Sequence, residues 1–196
     1  MRAQLPKFIL SGKVWQKIIV VTALALPLLL TFVVPAQARI KIEDIDRENI
    51  FVATPELRVI VGNDEENLIL GSVLDDNLDG KGDQDLIYSA DGDDEVIGGS
   101  GSDLISAGFD DDFIRGKRGG DVLIGGADND IIVGDDGDDN LFGDIGDDTL
   151  EGDKGADAFT CGPGVDTITD FNPRQGDTKS PDCEIFEQNI PQDIVR

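Results

Sequence analysis

The chain has 196 residues, with 41 Asp and Glu against 16 Lys and Arg and a formal charge of −25. That length suits one domain with short appendages, and that charge argues against nucleic acid or an anionic membrane surface as a partner. Histidine is absent, which excludes Ser-His-Asp and Cys-His nucleophile systems, HExxH zinc sites and imidazole proton relays.

Residues 1–38 contain no acid. Arg2, Lys7, Lys13 and Lys17 precede a 17-residue apolar run, Ile18–Val34, broken by Pro27 and followed by Ala36-Gln37-Ala38. A positive stretch, an apolar stretch and an A-x-A site predict a secretory signal peptide cleaved after Ala38. The competing reading is an uncleaved anchor, but a run of 17 is at the lower limit for spanning a bilayer. Cleavage leaves 41 acids and 16 − 4 = 12 bases, a net charge of −29. The mature chain is then expected in the periplasm or outside the cell, with no membrane segment. Residues 39–61 follow as an N-terminal cap or linker, with β-like runs at Ile50–Ala53 and Leu57–Val61.

From Gly62 the chain divides into twelve consecutive nonapeptides ending at Thr169, without insertion or deletion. Clear copies are Gly98–Ser106, GGSGSDLIS, and Gly125–Val133, GGADNDIIV. The first position is Gly in nine of the twelve, the exceptions being Ser89, Ala107 and Cys161. The sixth is Asp in eleven, the exception being Asn67, and the eighth is apolar in all twelve. Unstructured Gly/Asp tracts do not hold register in this way. Glycines at the first, second and fourth positions supply φ > 0 for a tight loop. The last three residues, x-apolar-x, form a short strand that turns only the eighth side chain inward. Two repeats make one 18-residue coil with a strand on each side. The predicted fold is therefore all-β, a parallel β-roll (β-solenoid) of about six 18-residue turns over residues 62–169, with short terminal caps. A C-terminal cap and tail occupies residues 170–196.

Such a core is thin, and the repeats hold 30 acids against five bases. Carboxylates about 5 Å apart repel by ~0.8 kcal/mol even in bulk water. A multivalent cation cancels that repulsion and ties adjacent loops together. Carboxylates and backbone carbonyls are the ligands on offer, an all-oxygen set that favours Ca²⁺ over Mg²⁺. The stretch Asp75–Gly80 matches the first half of an EF-hand loop, but its twelfth position is Leu86 rather than Glu and neither flank reads as a helix, so the EF-hand is set aside. Cys161 and Cys183 are the only cysteines. An oxidising compartment permits a bond between them, and two free thiols are the alternative.

The GGSGSDLIS unit and its neighbours resemble the RTX, or haemolysin-type, calcium-binding nonapeptide GGxGxDxUx. The resemblance covers residues 62–169. It implies a parallel β-roll with several Ca²⁺ ions held between the loops of repeats n and n+2, by backbone carbonyls and the sixth-position aspartates. On this chain those are Asp76, Asp85, Asp94, Asp103, Asp112, Asp121, Asp130, Asp139, Asp148, Asp157 and Asp166. The chain departs from the pattern at Glu65 and Leu74, where fourth-position Gly is expected, and at Asn67, so a frayed or metal-poor start is expected. Asp83, Asp110 and Asp128 also replace that Gly, and Lys117 and Arg118 put positive charge into the seventh loop. Cys183 tied to Cys161 would fold residues 170–186 back as a cap, with Phe171, Ile185 and Phe186 over the open end.

The expected function is that of a secreted calcium-binding protein, not an enzyme, whose folding is coupled to Ca²⁺. The alternative is a cell-surface or matrix adhesin that uses the calcium-stiffened rod as spacer or contact surface. Toxins and enzymes that resemble it carry a separate effector region, and no segment outside the rod is long enough to hold one. A carboxylate-pair glycosidase finds no pair set apart from the repeat.

Overall fold

An apolar residue every ninth position and an inward-pointing strand at each one can bury their side chains only by stacking, and the chain does so. The computed structural model describes residues 49–185, which lie within one compact unit, Gln37–Arg196. Residues 1–38, where a signal peptide is expected, the first ten residues of the 39–61 segment, Phe186 and the rest of the tail lie outside the described residues, as does the side chain of Ile185.

The strands in chain order are β1 (Ile50–Val52), β2 (Val59–Val61), β3 (Leu68–Leu70), β4 (Asn77–Gly82), β5 (Leu86–Asp91), β6 (Glu95–Ser100), β7 (Leu104–Phe109), β8 (Phe113–Arg118), β9 (Val122–Ala127), β10 (Ile131–Asp136), β11 (Asn140–Ile145), β12 (Thr149–Glu151), β13 (Ala158–Thr160), β14 (Thr167–Ile168), β15 (Thr178–Lys179) and β16 (Glu184–Ile185). Odd-numbered strands form one eight-stranded sheet in order β1-β3-β5-β7-β9-β11-β13-β15, and even-numbered strands form the other. Every pairing between these strands is parallel, and within the repeats partners are 18 residues apart, as in Ile87↔Ile105 and Leu123↔Leu141. The result is a β-solenoid of about seven turns. No α-helix occurs among the described residues. Asp75–Gly80 runs into β4, so the EF-hand geometry is absent there.

The eighth-position residues are the core. Ile69, Leu78, Ile87, Val96, Ile105, Ile114, Leu123, Ile132, Leu141, Leu150, Phe159 and Ile168 are all fully buried or within 2% of it. The column continues past Gly62 to Ile60, with Phe51 packed against it. At the other end Phe171 meets Phe159 edge-on, with ring centroids 6.3 Å apart. Cys161 and Cys183 are joined by a disulfide, which ties the chain after β15 to the coil that carries β13.

Two details differ from the sequence expectation. Strands β4–β11 span six residues, from the seventh position of one repeat to the third of the next, so the tight turn is three residues long rather than six. Coils stacked in register keep ladder pairing through the bend, for example Asn77↔Glu95 and then Lys81↔Gly99. The second difference concerns glycine. Second- and fourth-position residues do adopt left-handed φ, as Gly99 (122°) and Gly101 (150°) do. First-position glycines do not; what they supply is space. The fourth-position Asp83, Asp110 and Asp128 take the same left-handed backbone, at φ 64–78°, which Asp tolerates better than most residues. Glu65 and Leu74 are not left-handed, and the strands beside them, β2 and β3, are only three residues long but paired in register.

Candidate metal centre

Each three-residue turn delivers its sixth-position side chain to the edge of a sheet, just before a strand whose next residue but one enters the core. All eleven predicted aspartates are there, and none is more than 4% exposed. The structure does not gather them into one cluster. It arranges them as two ladders with one rung per coil. Asp85, Asp103, Asp121, Asp139 and Asp157 line the edge of the odd-numbered sheet. Asp76, Asp94, Asp112, Asp130, Asp148 and Asp166 line the edge of the even-numbered sheet.

Within a ladder each carboxylate is split between two duties. Oδ1 of one rung accepts the backbone N–H of the rung one coil earlier. On the odd edge Asp103, Asp121, Asp139 and Asp157 accept from Asp85, Asp103, Asp121 and Asp139 at 2.8–2.9 Å. On the even edge Asp94, Asp112, Asp130, Asp148 and Asp166 accept from their predecessors at 2.7–3.0 Å. The second oxygen, Oδ2, is buried with no hydrogen-bond partner in Asp85, Asp94, Asp103, Asp112, Asp121, Asp130, Asp139, Asp148, Asp157 and Asp166. At Asp76 the roles reverse: Oδ2 accepts Ser72 N–H at 2.6 Å and Oδ1 is left alone.

From Asp85 to Asp166 burial raises the pKa of the rung carboxyls, opposed by the hydrogen bond from the neighbouring rung. Asp85, Asp103, Asp121, Asp130 and Asp139 are pushed up to about 7. Asp112 reaches about 8. Asp94, Asp148 and Asp157 reach about 6, and Asp166 is also raised. Without a counter-charge the ladders resist full ionisation at neutral pH.

Glycine opens the space beside the lone oxygen. A Cβ placed on Gly80 would lie 2.2 Å from Asp85 Oδ2 and 2.6 Å from the carbonyl oxygen of Gly98. The same pair of oxygens, one carboxylate and one carbonyl from the next coil, lies 2.3–2.9 Å from such a point at Gly98, Gly116 and Gly134. These distances mark how closely a carboxylate and a carbonyl oxygen crowd the glycine, and both are ligand types that Ca²⁺ takes. No group of three or more His, Cys, Asp or Glu side chains capable of holding a metal occurs among the described residues. A cation here therefore draws on carboxylates and carbonyls together, and the residues present fit Ca²⁺.

The C-terminal ladder ends were not legible in the sequence, whereas the start of the odd edge was, at Asn67. On the odd edge Asn67 replaces Asp, and its amide bonds with the Glu65 carbonyl and Asn63 Oδ1, while Asn49 pairs with Asn63 and Glu65. The far end of that edge is Asp177, which accepts from Asp157 N–H at 3.1 Å and from Asn172 N–H at 2.7 Å, so neither oxygen is left alone. Glu184 accepts from Asp166 N–H and ends the even edge. Asp177 and Glu184 lie beyond the nonapeptides, and Asp177 is 20 residues from its neighbouring rung, so the period does not find them. The apolar eighth position at Ile60 was a usable signal for the earlier coil.

The positive charge near the seventh loop is drawn to Asp135. Arg115 makes a two-pronged contact with that carboxylate, Lys117 Nζ is 3.7 Å away, and the Asp135 pKa is lowered accordingly by the Arg115 hydrogen bond. Lys154 pairs with Asp136 in the same way one coil on.

A family model for the RTX calcium-binding nonapeptide repeat (4 copies) matches residues 70–105, 106–141 and 133–168. No curated protein and no solved structure matches significantly.

Proposed function

The chain belongs to the RTX calcium-binding nonapeptide repeat family, and on that premise we propose that it is a secreted calcium-binding protein whose folding is coupled to Ca²⁺. The observation that carries the reading is the set of eleven buried carboxylate oxygens without a partner. Leaving an ionised group buried and unpaired costs several kcal/mol, and repeating that cost along two ladders opposes folding of the metal-free chain. Asp76, Asp85, Asp94, Asp103, Asp112, Asp121, Asp130, Asp139, Asp148, Asp157 and Asp166 would hold the ions, together with carbonyls of the glycine loops. Calcium supplies the positive charge that lets these groups stay ionised. The chain's own hydrogen bonds, from each rung's N–H to the next rung's Oδ1, hold the carboxylates in place.

Export through the N-terminal segment to a calcium-rich compartment would let the roll set after secretion, since extracellular modules work near 10⁻⁴–10⁻³ M Ca²⁺. The reading assigns the chain no catalysis. Calorimetric titration of the full chain with Ca²⁺ at pH 7.5, with Mg²⁺ as control, tests it. Several Ca²⁺ ions bound per chain are expected. No heat beyond that seen with Mg²⁺ overturns it.

One observation favours the contact-surface reading as a second possibility. The two sheets have unlike outer faces. Across the seventh, ninth and following third positions from Leu68 to Pro163, the odd-numbered sheet carries a single charged residue, Asp91. The corresponding positions of the even-numbered sheet, from Asn77 to Asn172, carry seven: Asp79, Glu95, Arg115, Arg118, Asp136, Glu151 and Lys154. Val73, Phe109 and Ile145 stand 58–66% exposed on the apolar side, and apolar patches of this kind mark interaction surfaces. Retention on the producing cell surface that needs Ca²⁺ and is lost in Phe109→Glu would support adhesion. Equal retention of that variant would discard it.

A further inference from the structure

We propose that the two ladder edges bind Ca²⁺ unequally, because the first residue of each repeat gates the lone oxygen and only the odd edge keeps glycine there throughout; this rests on the calcium-binding reading above. Gly80, Gly98, Gly116, Gly134 and Gly152 open the five repeats that carry the odd-edge rungs Asp85 to Asp157. None of them has left-handed φ, so backbone conformation does not demand glycine there. Space does. A Cβ at these five positions would sit 2.2–2.5 Å from the rung's Oδ2, nearer than real Cβ atoms approach anything.

The even edge breaks this rule three times. Ser89 opens the repeat of Asp94, Ala107 that of Asp112, and Cys161 that of Asp166. All three are fully buried, so their side chains occupy the cleft and do not turn out to solvent. At Ser89 the obstruction is double. Its hydroxyl donates to the Ala107 carbonyl at 3.0 Å. That oxygen holds the place in the even ladder that the Gly98 carbonyl holds beside Gly80 on the odd edge. Cys161 is fixed by the disulfide to Cys183. Between the obstructed rungs Gly125 and Gly143 restore the opening, with Cβ-to-Oδ2 distances of 2.2 and 2.3 Å for Asp130 and Asp148.

The odd edge is therefore a continuous row of open, oxygen-lined clefts, and the even edge is an interrupted one. A methyl group in the cleft excludes an ion or pushes it off the lone oxygen, which forfeits one charged ligand of its shell. Two classes of Ca²⁺ site follow. The odd edge and the Asp130–Asp148 stretch fill first, and the rungs at Asp94, Asp112 and Asp166 fill later or stay weak.

Calorimetric Ca²⁺ titration of the full chain, compared with Ala107→Gly and Gly116→Ala, tests this. The wild-type isotherm should need two classes. Ala107→Gly should tighten the weak class by about tenfold or add an ion to the strong one. Gly116→Ala should remove at least one ion from the strong class. Ala107→Gly only deletes a methyl and keeps the variant series informative if Gly116→Ala does not fold. A single-class isotherm unchanged by Ala107→Gly overturns the inequality and leaves the calcium-binding reading standing, whereas absence of Ca²⁺ binding in all three proteins overturns both.

Discussion

Asp103 Oδ1 accepts the backbone N–H of Asp85 at 2.8 Å, while Asp103 Oδ2 is buried with no partner. One side chain thus stitches two coils together and at the same time carries an unmet charge. The stitch involves no metal of its own, but the charge is tolerable only if a proton or a cation meets it.

Replacing a rung by asparagine separates the two roles. Asn67 already shows that an amide fits a rung, accepting Asn63 N–H at 2.9 Å and donating through Nδ2. In Asp121→Asn the amide oxygen keeps the bond from Asp103 N–H, and the lone anionic oxygen disappears. Asp121 is fully buried with its pKa raised to about 7. The variant should therefore be more stable than wild type in EDTA at pH 7.5, by roughly 2–4 kcal/mol at one pKa unit per ~1.4 kcal/mol. In saturating Ca²⁺ it should be less stable and bind fewer ions. More strand content than wild type by circular dichroism in EDTA, together with a lower denaturation midpoint in Ca²⁺, is the signature, and a change of the same sign in both conditions counts against the split role.

Acid should partly substitute for metal. Nine rungs, Asp85, Asp94, Asp103, Asp112, Asp121, Asp130, Asp139, Asp148 and Asp157, have folded-state pKa values raised from 3.8 to about 6–8. Below the ordinary carboxylate pKa both folded and unfolded chains are protonated, and burial carries no ionic cost. As pH rises from about 4 to 8 the unfolded chain releases its protons first, so the metal-free roll loses stability across that window. Far-UV circular dichroism in EDTA should show strand content falling between pH 4 and pH 8. With Ca²⁺ present the trend reverses, because the ion binds the ionised form, and the Ca²⁺ concentration for half-folding should rise when pH is lowered from 8 to 6.

The disulfide closes the C-terminal end independently of metal. Cys161 and Cys183 are 22 residues apart, and a loop of that size contributes about 3 kcal/mol by constraining the unfolded chain. Reduction, or Cys161→Ser with Cys183→Ser, should lower the thermal midpoint of the Ca²⁺-loaded protein. Amide exchange should accelerate first in β13–β16, and uniform acceleration along the roll would contradict a local role.

The eighth-position column is a second metal-independent term. Leu123 is fully buried mid-column, paired with Ile105 and Leu141 on either side. Leu123→Ala should cost about 2–5 kcal/mol and raise the Ca²⁺ midpoint of folding. An unchanged midpoint in a calcium-titrated dichroism curve would show that the core does not share the load.

Much of this arrangement is legible in the sequence because the period is unbroken. Gapless spacing from Gly62 to Thr169 fixes which side chain points inward, and so fixes Ile69 to Ile168 as core and the sixth-position aspartates as rungs. The coils outside that window are harder to read. Ile60 keeps the eighth-position pattern, but its repeat has Arg58 where a rung belongs, and Asp177 is displaced by a two-residue insertion relative to the 18-residue step. The purpose of first-position glycine was also hidden. Sequence suggests a backbone reason, whereas the fold reveals a steric one that depends on a carboxylate five residues later and a carbonyl 18 residues later, as at Gly80 with Asp85 and Gly98. The unlike outer faces emerge only when the nine-residue repeat is read at its true period of 18, which separates Phe109 and Ile145 from Arg118 and Asp136.

Backbone hydrogen exchange of the full chain at pH 7.5, in millimolar Ca²⁺ and in EDTA, tests the coupling of metal to fold most directly, because it reads the rung amides themselves. The account predicts strong protection of Asp85, Asp103, Asp121 and Asp139 N–H in Ca²⁺, and exchange close to that of an unfolded chain in EDTA. Equal protection of those four amides in both solutions would contradict it.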